Sequence, residues 1–133
     1  MNHDVELALL RIKELNVALD AARDQYRAAC EAALADAPAG FDGLEVPDWD
    51  ADGGDLVREW VIGFDFGHRI YVVDRIGPDG YERRGPLVQF AAYLPPMSVS
   101  LGKVHLLAES IASVVDKVAE IEAAQASRDE SDG

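Results

Sequence analysis

The chain has 133 residues, 49% of them hydrophobic, and a net charge of −13 from 25 acids against 12 bases. That length suits one domain and that composition can build a core, which excludes a natively disordered chain. The charge excludes direct binding to nucleic acid or to an anionic membrane and favours a cationic partner. A lone cysteine, Cys30, allows no internal disulfide and fits a reducing compartment. The N-terminal run has acids where a signal peptide needs bases, and no apolar segment nears the roughly 20 residues of a membrane span. A cytoplasmic protein is therefore expected, in the host cytoplasm if the chain is phage-encoded.

Residues 4–36 predict one long helix. Val5, Ala8, Ile12, Leu15, Leu19, Ala22, Tyr26, Ala29 and Ala33 alternate steps of three and four, an unbroken heptad seam. Leu9 widens the stripe, and Asn16 lies beside it, where a polar group can fix register. A helix of that length spans roughly 45–50 Å, more than the core of a small domain can cover. Ala-Pro-Ala-Gly at 37–40 ends it.

An acidic loop is expected over residues 39–55. Nearly half of the acidic excess sits in residues 39–59, seven acids against one base. Three strands should follow. In Leu56–Phe66, the residues Leu56, Trp60, Ile62, Phe64 and Phe66 share one face. Gly67-His68 marks a tight turn, RIYVVDRI a second strand, and Gly77-Pro78-Asp79-Gly80 another turn. Tyr81–Tyr93 returns as the third strand, although Leu87, Phe90 and Leu94 also fit helical spacing. Pro95-Pro96 stops it. A second helix is predicted from Val99 to Ala126, capped by Ser98 or Ser100, with a seam of Val104, Leu107, Ile111, Val114, Val118 and Ile121. Residues 127–133 read as a disordered acidic tail.

The order predicts an α+β fold: a long N-terminal helix, a three-stranded antiparallel meander and a long C-terminal helix, forming one domain over residues 1–126. The helices pair within or between subunits. Three strands and two over-long helices bury themselves poorly alone, so a homodimer is expected, seamed by Ile12, Leu15, Leu19 and Tyr26 with Leu107, Ile111, Val114 and Val118.

One short pattern carries a chemistry. Asp48-Trp49-Asp50-Ala51-Asp52-Gly53 followed by Glu59 resembles the calcium loop of EF-hand proteins. The resemblance implies oxygen ligands from Asp48, Asp50, Asp52, the Gly54 carbonyl and a bidentate Glu59, with Gly53 at the sharp turn. The flanks depart from that family: Gly and Pro interrupt the preceding segment, the following one reads as a strand, and Asp55 stands where an apolar residue is usual. The favoured reading is a solvated acidic loop with no cofactor; calcium binding is the alternative.

The remaining motifs point to binding rather than catalysis. The histidines show no metal-ligand spacing, and no nucleophile elbow, phosphate loop or dinucleotide fingerprint is present. A partner surface is read instead from Trp49, Asp42, Glu45 and Asp55 on the acidic loop, and from Arg75, Arg83 and Arg84 around the second turn. The expected function is a non-enzymatic interaction module, homodimeric, whose acidic face engages a basic protein. Its sharper form is a phage-type inhibitor that mimics nucleic acid. A structural or assembly chaperone or adaptor is a further alternative.

Overall fold

The computed structural model describes residues 2–90 and 100–132, and its contacts group the chain into two units, residues 1–35 and 36–133. The first unit is a single helix, α1 (His3–Ala33). Asn2 caps it, its side-chain oxygen accepting from the Asp4 amide at 2.9 Å. Asp4 and Glu6 add negative charge at the positive end of the helix dipole. Arg27 and Glu31, one turn apart, pair at 2.9 Å. The backbone leaves the helix at Leu34, ahead of Pro38. Cys30 is a free, buried thiol.

The second unit is built on an antiparallel sheet in the order β1-β2-β3-β4. The expected three strands are β2 (Asp55–Gly63), β3 (Arg69–Gly77) and β4 (Gly80–Gln89). A fourth, β1 (Asp50–Asp52), corrects the expectation of an irregular acidic loop. The reason is local. Gly53 takes φ +63° and, with Gly54, turns the chain so that Asp52 faces Asp55. Arg75 then neutralises both carboxylates, at 3.0 Å from Asp52 and 2.8 Å from Asp55.

Between β2 and β3 the chain makes a 3-10 turn over Asp65–Gly67, with Phe66 at φ +65°. Pro78 and Asp79 form the two-residue loop between the paired Gly77 and Gly80. The segment that fits either strand or helix is strand as far as Gln89; residues 91–99, with Pro95, Pro96 and Ser98, lie outside the described residues.

The helix α2 runs from Leu101 to Asp132, past the expected end at Ala126 and through the stretch expected to be a disordered tail. Arg128 holds that end, donating to the Ala37 carbonyl at 3.0 Å and lying 3.7 Å from Asp42. Strand alternation supplies the core: β3 buries Ile70, Val72, Asp74 and Ile76 on one face. Phe41, Trp60, Ile70, Val72, Val114 and Ile121 form one cluster, with Ala37, Ile62, Phe64 and Val118 against it. Phe41 reaches this cluster because Gly40, at φ +84°, passes close to α2: a Cβ there would stand 2.6 Å from Ile121 Cγ1. Among the described residues no helix is long and apolar enough to cross a membrane.

Candidate functional site

The sheet register places Arg58 opposite Asp74 and Asp74 opposite Arg83, so three neighbouring strands put these residues in one row on the core face. Asp74 has no exposed surface. Its carboxylate accepts from Arg58 Nε at 2.9 Å and Trp60 Nε1 at 2.8 Å, and from Arg83 Nε at 2.7 Å and Nη2 at 3.0 Å. Arg83 also donates to the Asp36 carbonyl at 2.9 Å. Burial alone pushes the Asp74 carboxyl up. The hydrogen bonds from Arg83, Trp60 and Arg58, with the Arg83 charge, outweigh that and hold the group below its ordinary 3.8.

Aromatic faces complete the cluster. The Arg58 guanidinium lies 4.4 Å from the ring centre of Trp49 and 5.0 Å from that of Trp60. Trp49 is therefore half-buried on a guanidinium rather than standing out from the acidic segment. With both oxygens of Asp74 occupied by donors, the arrangement suits locking β2, β3, β4 and the Trp49 segment together. Nothing in the sequence groups Asp74 with Arg58 and Trp60. The available signal was a lone acid in phase with Ile70, Val72 and Ile76, which demands a cationic partner when the strand face is buried.

Alternation divides the arginines expected to form one patch. Arg83 points to the core face, while Arg75 and Arg84 lie on the other face. Arg75 is held by Asp55 and Asp52, and those hydrogen bonds raise its pKa above the ordinary value. Arg84 has 71% of its side chain exposed, with Glu82 at 3.6 Å. On the same face Arg69 stacks 4.4 Å from the Tyr71 ring and donates to Glu59 at 2.9 Å.

These contacts also define where the calcium-loop pattern falls. Asp52 and Asp55 bracket the β1–β2 hairpin and engage Arg75, and Glu59 lies along β2 and engages Arg69. Gly54 belongs to the hairpin turn. Among the described residues no group of three or more His, Cys, Asp or Glu is arranged to hold a metal ion. Glu45, Asp48 and Asp50 are exposed, and Asp42 lies by Arg128.

The helix residues expected to form the seam separate by environment. On α1, Ile12 is 53% exposed, Leu15 58% and Leu19 47%, and Val5 and Tyr26 are also exposed. Leu7, Leu10 and Val17, on the opposite side of α1, are exposed as well. On α2, Val114 and Val118 serve the core of the second unit and Leu107 is half-buried. Ile111 faces outward with Val104 and Val115. Among the described residues α1 thus carries more exposed large apolar side chains than any other element, on both sides of the helix. No family model, curated protein or solved structure matches the chain.

Proposed function

We propose that this chain is a non-enzymatic protein-interaction module that self-associates through α1 as a homodimer and engages a basic partner with its carboxylate-rich surface. The observation that carries the reading is the exposure of the α1 seam. A heptad seam in which Val5, Ile12, Leu15 and Leu19 alternate with alanines along a 31-residue helix is exposed. Contiguous apolar surface of that kind marks an interaction site, and a heptad repeat marks another helix as the complement. The exposed acids at Glu45, Asp48 and Asp50 and the net charge of −13 support the basic partner.

Sedimentation equilibrium tests self-association. The wild-type chain is expected to run as a dimer, and the double variant Leu15→Asp/Leu19→Asp as a monomer that keeps its sheet by circular dichroism. A wild-type chain that stays monomeric at high micromolar concentration sinks the reading. Partner binding is read by affinity capture on the immobilised chain: retained proteins should be basic and should elute well below about 0.5 M NaCl, where screening is strong.

A further inference from the structure

The seam of α1 also carries the orientation of the pair. In heptad terms Val5, Ile12, Leu19, Tyr26 and Ala33 occupy one core position, and Ala8, Leu15, Ala22 and Ala29 the other. The first set is large at four places and closes on Ala33. The other is alanine in three places of four. All of these residues are exposed. Two helices running parallel stack like positions on like. That arrangement crowds Tyr26 on Tyr26 and faces Ala8, Ala22 and Ala29 with themselves, which leaves voids. Two helices running antiparallel stack one set on the other, because each core position then meets its opposite.

We infer that α1 pairs with α1 of a second copy in the antiparallel sense, in the single register that centres the two-fold axis at residue 17. This rests on the self-association proposed above. In that register Val5 faces Ala29, Ile12 faces Ala22, Leu15 faces Leu19 and Tyr26 faces Ala8, so Ala8, Ala22 and Ala29 each receive a large residue. Asn16, beside the seam, comes next to its own copy at the axis, where two amides can bond each other. Sliding the helices by one heptad either way sets Leu15 against Ile12 or against Tyr26 and shortens the overlap. The centred register uses nearly the whole of the 31-residue helix. That is a strip about 47 Å long and about 10 Å wide on each partner, roughly 900 Å² in all, close to the size of the smaller specific interfaces. No like charges meet at the flanking positions: Leu9 lies across from Arg23, Arg11 from Gln25, and Asp4 from Ala32.

Pulsed electron paramagnetic resonance on the full chain measures this directly. Spin labels are placed on Glu6→Cys or Asp20→Cys, each in a Cys30→Ala background. Antiparallel pairing in this register separates the labels along the axis by about 33 Å at position 6 and about 9 Å at position 20. Parallel pairing gives the same short distance at both sites and overturns the inference while leaving self-association standing. Absence of any intermolecular distance, with a monomer by sedimentation, overturns self-association and this inference with it.

A second variant gives the same answer without labels. Ala22→Leu overfills its contact with Ile12 twice per dimer, and should raise the dissociation constant at least about tenfold. In a parallel pair the same change would fill the Ala22 void and tighten the dimer, so a tightened dimer overturns the proposal.

Discussion

Asp74 accepts hydrogen bonds from three side chains and has no exposed surface, and the arginine opposite it on β2, Arg58, is buried as well. The balance of such a cluster is lopsided. Replacing all its members by apolar residues can cost little, but removing one partner strands the others. Asp74→Asn should therefore destabilise the chain by about 3–5 kcal/mol in urea unfolding followed by tryptophan fluorescence. The pH dependence has a definite sign. Asp74 titrates lower folded than unfolded, so its contribution is complete above the ordinary value of 3.8 and is lost as pH falls through the folded value. The stability gap between wild type and Asp74→Asn should be constant above about pH 5 and narrow below about pH 4. The stretch RIYVVDRI is legible as a strand, yet the weight of its one acid is not. Which arginines surround Asp74 depends on the register of three strands, and a one-residue slip would turn each to the other face.

Among elements, the 37–41 segment approaches α2 closely in the second unit. Gly40→Ala forces a Cβ to 2.6 Å from Ile121 Cγ1 at a backbone angle of +84°. Gly53→Ala meets the strain of positive φ alone, since nothing lies within 4 Å of its added carbon. Differential scanning calorimetry should show Gly40→Ala costing about 2–4 kcal/mol and Gly53→Ala about 1 kcal/mol. Equal costs would mean the close approach carries no weight. The helices repeat the lesson of the strand. Heptad spacing on α2 is plain in the sequence, and it predicts Val114, Val118 and Ile121 as part of a helix-pairing seam. They are core residues of the sheet unit, because period 3.5 and period 3.6 describe nearly the same stripe over a few turns and either surface can fill it.

For the whole molecule, net charge decides how association responds to salt. Two copies that each carry −13 repel one another, so raising NaCl from about 0.05 to about 0.5 M should tighten the dimer while it weakens binding of a basic protein. Sedimentation and a binding titration across the same salt series check both signs, and dimer affinity that falls with salt would mean the contact is ionic rather than apolar. Calcium is expected to leave the melting temperature unchanged at millimolar concentration, since Asp52 and Glu59 of the loop-like pattern are already held by Arg75 and Arg69. A rise of several degrees that is abolished by Asp48→Ala would restore the calcium reading.

Two long helices, three of the four strands, the Gly77–Gly80 turn and the concentration of acid between residues 39 and 59 are legible in the residues alone. Those features follow from local rules: apolar period, capping residues, glycine and proline at turns, and a count of charges. Folding in three dimensions is what brings Asp50–Asp52 into the sheet, turns Arg83 and Arg84 to opposite faces and sets Asp74 at the centre of a buried cluster. It also decided that the apolar stripe of α2 serves this chain's own core, at Val114 and Ile121, while that of α1 stays in water. Each of those outcomes turns on which distant residues a face meets, and over the few turns that α2 lays on the core an apolar period of three or four does not tell a sheet from a helix.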